Sequence, residues 1–334
     1  MIKLFIVLMI LSSRNSYAAI SSSGRAFGFY LENDSRDLGG PGSDNAYSSG
    51  LRFSYIIASK DTPKWADAIV RMPRIFDPDF KTDYSNFGIS LGQQIYTPND
   101  IRDSALIAFD RPYAAWLYVG IMAQFKNHAR SHVFELDVGI VGPEAQGEKF
   151  QNEYHRMIGK YYAEGWRNQL ATEPTIQVFY QQRGKFVQLQ TKQYHKYLDV
   201  IPYFGAGLGN VSVDAHVGGV ARLGINIPDD FGPKRASTPE GDTFIEPDLN
   251  RSSSYYLFAG ARAIGIAKNI FLDGNTFKSS HRVEKIPIVI ETDLGFGAEW
   301  SRWDFAWRFV TRSPEFVERS VYNSFASISI STIL

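Results

Sequence analysis

The chemistry in this chain is best sought around one of its six histidines. The stretch 142–170, GPEAQGEKFQNEYHRMIGKYYAEGWRNQL, follows an alternating strand. It reads as a turn, a short helix over 148–158 and a second turn at Gly165-Trp166. His155 sits on that helix beside Asn152 and Arg156, and imidazole is the side chain best suited to move protons near neutral pH. Two further groups could act with it: the carboxylate and amide of Asn33-Asp34, and the hydroxyls of Ser48 and Ser49. Such parts suit ester hydrolysis assisted by a hard cation. His155 takes a proton from water, and an oxygen-ligated cation stabilises the developing oxyanion. The chain has no cysteine, so a calcium-type oxygen site is expected rather than a thiolate zinc site.

A serine nucleophile is the rival chemistry. It needs Ser48 or Ser49 within reach of His155, and Glu32, Asp34 or Glu153 behind the imidazole. Ser49, Arg111 and Trp166 are candidates for contacts with the substrate. Each of these residues also has a purely structural reading. Asn-Asp is a common turn starter, Tyr-Ser-Ser-Gly an ordinary strand entry, Asp110-Arg111-Pro112-Tyr113 a rim ion pair with a rigid turn, and Gly165-Trp166 a packing anchor. The other histidines, at 128, 132, 195, 216 and 281, have no comparable surroundings in the sequence.

Period-two alternation must position these residues. Phe27, Phe29 and Leu31 alternate with Gly28, Tyr30 and Glu32; Phe53, Tyr55 and Ile57 with Arg52 and Ser54; Phe134, Leu136, Val138 and Ile140 with Glu135, Asp137 and Gly139. One face is apolar and aromatic and the other carries Gly, Ser, Glu, Asp and Arg. A water-soluble sandwich also alternates. Three features favour an antiparallel barrel that crosses a membrane: an export signal, Tyr and Trp near strand ends, and charges inside strands. Thirteen segments fit a strand, and bacterial barrels have even numbers. Twelve strands are therefore expected, with the weak segment 185–194 the one to discard. If the chain enters from the periplasm, parity puts Asn33-Asp34, Ser48, the 96–112 loop and His155 at the same, outer end. Ser48 then continues the inward series of Gly50, Arg52 and Ser54, and Asp34 that of strand one. The 58–85 connection, with a short amphipathic helix near 65–70, would be unusually long for a periplasmic turn.

Residues 1–18 read as a signal peptide: Lys3, the apolar run Leu4–Leu11, then Ser16-Tyr17-Ala18 before the cut. That run is too short for a membrane-spanning helix, and residues 19–334 form one barrel domain with no linker. The formal net charge is zero, so no basic field points to nucleic acid. The surroundings expected are membrane lipid, in the bacterial outer membrane.

Several strings together resemble one family. Leu31-Glu32-Asn33-Asp34, followed by Tyr47-Ser48-Ser49-Gly50, is similar to the E-N-D … Y-T-N-G opening of the outer-membrane lipid A 3′-O-deacylases. Ile95-Tyr96-Thr97-Pro98-Asn99-Asp100-Ile101 and Asp110-Arg111-Pro112-Tyr113-Ala114 match that family's I-Y-T-P-x-D-I and D-R-P-Y-A. Gly142-Pro143, Gln151-Asn152, His155, Gly165-Trp166 and Asn168-Gln169-Leu170 continue it, as do Asp229–Pro233 and Asn269–Asn275. The resemblance spans nearly the whole mature chain in order. It implies a twelve-stranded barrel with a short helix in an extracellular loop. The implied activity is calcium-dependent removal of the 3′ acyloxyacyl group from lipid A of outer-leaflet lipopolysaccharide. By position, His155 would be the general base, Asn33 and Asp34 the cation and oxyanion site, and Ser48 would stand where the family usually has threonine. The family's catalytic lysine near the third strand has no counterpart at Gln93-Gln94, and Lys160–Glu164 departs from the family's acidic and tyrosine residues after the histidine. A non-catalytic barrel of the porin or structural kind, or a serine-dependent lipid hydrolase, are the alternatives.

Overall fold

A computed structural model describes residues 23–34, 46–59, 69–192, 195–235 and 253–334. The signal segment and most of the anticipated 65–70 helix lie outside these; the part that is described is a single turn, Ile69–Arg71, followed by a short helix, Pro73–Phe76. The first six strands are β1 (Ser23–Asn33), β2 (Ala46–Ser59), β3 (Tyr84–Thr97), β4 (Ala114–Lys126), β5 (Arg130–Val141) and β6 (Glu173–Gly184). After β7 (Val187–Gln190) come β8 (Lys196–Gly209), β9 (Ser212–Ile225) and β10 (Ser254–Asn269). The last three are β11 (Ile288–Trp300), β12 (Trp303–Arg312) and β13 (Asn323–Ile333). All pairings are antiparallel.

The wall closes twice over. β1 pairs with β13 from Ala26↔Ile333 to Asn33↔Ala326, and β6 pairs directly with β8 from Gln177↔Gly209 to Arg183↔Tyr203. Among the described residues β7 pairs only with β8, and it adds a short flap beyond the end of β6. The barrel therefore has twelve wall strands, and 185–194 is the segment that does not count. Closure pairs the edges of the twelve-strand wall, which an isolated sheet in lipid could not do.

Side-chain alternation is that of a membrane barrel, apolar outward and polar inward. Ile89, Leu91, Val119, Ile121, Val138, Leu257 and Leu294 are exposed on the outer face, while the lumen is laced with ion pairs. Arg52 meets Glu135 at 2.8 Å, Arg222 meets Asp199 at 2.7 Å, and Arg235 meets Glu291 at 3.0 Å, with Arg262 also on Glu291. These charges are buried but partnered, which is what makes them tolerable away from bulk water.

Between β9 and β10 the segment Ile227–Arg235 leaves the end of the barrel where β9 finishes and runs inside it toward the rim where β1 ends. Arg222 donates to the carbonyl of Pro228, Arg308 to that of Pro233, and Arg235 reaches Glu32 near the far end of β1. The lumen thus holds a chain segment as well as side chains.

Candidate active site

The parity argument holds: β1, β3 and β5 end, and β2, β4 and β6 begin, at one rim. The 98–113 and 142–172 connections both leave from it. His155 lies on the helix Gly147–Ile158, and the two turns flanking it are those expected. Gly142, with φ +109°, opens the first turn and Gly159, with φ +73°, ends the helix, both in backbone space that favours glycine.

This loop packs on the outward face of the wall. Ala145, Ala163 and Trp166 form a cluster with Ile95, Ala115, Tyr113, Ile101, Leu117 and Ile140. In β3 and β4 these residues alternate with Tyr96, Trp116 and Tyr118, which belong to a separate inner cluster with Tyr47, Phe271 and Phe325. The helix is fixed to its own turn by polar ties. The Trp166 indole N–H donates to Gln151 Oε1 at 2.8 Å, Ala163 N–H donates to Asn152 Oδ1 at 2.8 Å, and Glu164 N–H donates to the Ile101 carbonyl at 2.8 Å. Gln93, where the family lysine was sought, donates to the Ala145 carbonyl at 2.6 Å.

His155 is buried, and its Nδ1 lies 2.7 Å from the carbonyl oxygen of Tyr161. A carbonyl only accepts, so Nδ1 carries the hydrogen and the lone pair of the neutral ring is on Nε2. This orienting contact was not legible in the sequence, because a backbone carbonyl has no residue signature.

The second group forms at the ends of β1, β2 and β3. Asn33 Nδ2 donates to the Ser48 carbonyl at 3.2 Å, and Ser48 Oγ shares a hydrogen bond with Thr97 Oγ1 at 2.5 Å. Here the inward placement of Ser48 needs correction. The β2–β3 register shifts between Tyr47 and Ser49, so Ser48 is the extra residue of a β-bulge. Tyr47 takes the inward place instead, donating to Glu32 at 2.7 Å and packing on Tyr96 and Phe325. Asn33 and Thr97 alternate with inward Glu32 and Tyr96. The Asn33–Ser48–Thr97 group therefore belongs to the outward side of the rim, the side that carries the loop helix. Ser49 is half-buried and pairs across the strands with Asn33 and Ile95. Asp34 is buried directly after Asn33.

Arg111 and Trp166 are placed differently. Arg111 is fully buried on the lumen side, donates to Glu315 at 3.2 Å and lies over the Tyr96 ring. It does not form the anticipated ion pair with Asp110, whose carboxylate accepts from the backbone N–H groups of Asn99 and Arg111. Trp166, only 1% exposed, anchors the helix. His281, set aside in the sequence, approaches the Asp110 carbonyl at 2.7 Å and ties a third loop to the rim. Arg319 also joins this rim, donating to Asn99 Oδ1 at 2.9 Å. Burial and then Arg111 lower its pKa, against the opposing charges of Glu315, Asp110 and Asp34.

Two of the three carboxylates proposed behind the imidazole are engaged elsewhere. Glu32 serves Tyr47 and Arg235, and Glu153 pairs with Arg156 at the surface. The Nδ1 position that a triad carboxylate would occupy is filled by the Tyr161 carbonyl. Around the site, Phe150, Met157, Ile158, Tyr161 and Tyr162 are exposed, extending the apolar outer wall onto the helix.

A family model described as "Outer membrane protein LpxR" matches residues 4–334. Among solved structures, LpxR from Salmonella typhimurium aligns with a TM-score of 0.72 and 19% identity, covering 92% of this chain and 99% of that one. The β domain of the Bordetella autotransporter BrkA aligns at TM-score 0.42 and 10% identity, covering 93% and 99% of the two chains. The translocator domain of the autotransporter NalP from Neisseria meningitidis reaches 0.37 at 9% identity, covering 99% and 93%. No curated protein sequence matches the chain.

Proposed function

The chain belongs to the LpxR family of outer membrane proteins, and from that membership together with the rim geometry we propose that it hydrolyses an acyl ester of lipid A in the outer leaflet. The observation that carries this reading is His155 with its Nδ1–H bound to the Tyr161 carbonyl at 2.7 Å, on the outward side of the wall. That side faces lipid, and the exposed Phe150, Met157 and Ile158 beside it suit acyl chains entering sideways from the membrane.

His155 Nε2 accepts a proton from water as the water oxygen bonds to the 3′ acyl carbonyl carbon. The tetrahedral intermediate collapses with cleavage of the bond to the sugar oxygen. The imidazolium returns its proton to that oxygen, leaving a sugar hydroxyl and an acyloxyacyl acid. The Tyr161 carbonyl holds the ring in one tautomer throughout. Asn33 and Asp34 offer an amide oxygen and a carboxylate, hard donors that fit calcium. The donation of Asn33 Nδ2 to the Ser48 carbonyl turns the amide oxygen away from that bond. A cation held there supplies electrostatic stabilisation of the oxyanion. Ser48 contributes its hydroxyl at the edge of this group, braced by Thr97.

The test uses purified barrel, lipopolysaccharide and a fluorophosphonate probe. Release of acyloxyacyl acid without any serine adduct is expected. An adduct on Ser48 or Ser49 would transfer the reaction to the serine route, and no acid from a well-folded barrel would favour a non-catalytic one.

A further inference from the structure

We propose a second hard-cation site inside the barrel, far from the rim, that fastens the lumen segment Ile227–Arg235 to the wall through Asp230, Glu299 and Asp304. One carboxylate oxygen from each of these residues lies within 4.8 Å of the others. The wall residues are adjacent by register: Ser254 on β10 faces Glu299 on β11, which in turn faces Asp304 on β12. Directly opposed residues share a face, so all three point into the lumen, where Asp230 descends on them from the inserted segment.

Three carboxylates so close repel one another unless a cation or a retained proton lies between them. Of the cations nearby, Arg222 spans Asp199 and Asp230 Oδ1, where the Gly232 N–H also bonds, which leaves Asp230 Oδ2. Lys234 acts on Glu299 and Asp304 only across space, with no hydrogen bond or ion pair to either. It donates to Ser331 at 3.0 Å, one strand beyond Asp304. Among the described residues no hydrogen bond or ion pair ties down Glu299 or Asp304.

An independent observation points to a ligand at the same place. Ser254 is 3% exposed, and its Oγ is buried without a hydrogen-bond partner. Its register against Glu299 turns that hydroxyl into the cluster. A buried hydroxyl left unsatisfied costs free energy, and its oxygen could give a lone pair to a bound cation. The donor set is all oxygen, three carboxylates and a hydroxyl, which suits calcium better than a softer metal. Its position near the end of the barrel where β9 finishes would make the cation a clip holding the lumen segment in place.

The test measures calcium stoichiometry and terbium luminescence, excited through nearby tyrosine, on the full refolded barrel after stripping with chelator. Asp34→Asn removes the proposed rim site and isolates the lumen site. This variant is expected to bind one equivalent and to gain thermal stability with calcium. Adding Glu299→Gln and Asp304→Asn should abolish that equivalent and the calcium-dependent rise in Tm; Ser254→Ala should weaken binding about tenfold. Equal calcium binding with and without the Glu299 and Asp304 changes would overturn the proposal. So would no binding by Asp34→Asn. If the rim reading alone is wrong, the unmodified chain binds one equivalent rather than two and the lumen result is unchanged. The neutral replacements keep shape and relieve repulsion, and a heat-modifiable gel shift checks that each barrel has folded.

Discussion

Replacing Gly147 by alanine should slow the reaction without unfolding the barrel. A methyl group built on Gly147 would stand 2.5 Å from Ala115 Cβ and 2.5 Å from the Trp166 ring. Carbon atoms rest at about 3.5–4.0 Å, so the neighbours must separate by about 1 Å. Ala115 cannot yield, because it is in a wall strand, fully buried and paired across to Ile95. Trp166 is held by its bond to Gln151, so the helix must lift. Overpacking of this kind costs about 1–3 kcal/mol, set against at most about 1 kcal/mol gained by exchanging glycine for alanine in a helix. The net loss falls on the loop helix, leaving the twelve-strand wall untouched. Because His155 rides on that helix, a displacement of order 1 Å should cost on the order of 100-fold in rate. The assay is initial-rate release of acid from lipopolysaccharide, with the heat-modifiable gel shift as a folding check. Ala115→Gly in the same chain removes one of the two clashes and should return part of the rate. A Gly147→Ala barrel within twofold of the parent rate would refute the claim that the helix seating positions the base.

Three further outcomes are expected. Ser48→Thr keeps the hydroxyl bonded to Thr97 and should retain activity, whereas Ser48→Ala should lose about tenfold, roughly one hydrogen bond's worth, in the same rate assay. Stripping with a calcium-selective chelator should stop acid release and added calcium restore it, while magnesium, which demands a tighter octahedral shell, should restore little. Glu315, in the rim loop after β12, is held below its usual 4.5: burial raises it, but Arg111, Arg312 and Arg319 outweigh burial. A depressed carboxyl contributes stability that is present above 4.5 and lost as pH falls through the lower folded value. Protection factors in the 313–322 loop, corrected for the intrinsic pH dependence of amide exchange, should therefore fall below about pH 4.5 in the parent. They should show a much flatter profile in Glu315→Gln.

The wall was the most legible part of the chain, since period two marks a strand in lipid as clearly as in water. The same alternation misplaced Ser48, because one extra residue in a bulge reverses the face of everything before it. Only the β2–β3 register reveals that residue. The helix bearing His155 was bounded by its glycines and read to within a residue. The partner of His155 was hidden, since Tyr161 acts through its main chain. Arg111 read as a neighbour's ion pair because Glu315, its true partner, is 204 positions away. The lumen segment gave one hint in the sequence, the loss of alternation after Ile225 at Asp229–Pro233, but its path up the barrel depends on Arg222, Arg235 and Arg308, whose roles appear only once the wall is closed.

Mass spectrometry of lipid A from cells expressing this chain, beside cells expressing His155→Ala, tests the central claim most directly. The account predicts loss of one acyloxyacyl mass with the unmodified chain and intact lipid A with the variant, from barrels equally folded. Identical spectra from the two, whether both intact or both deacylated, would contradict it.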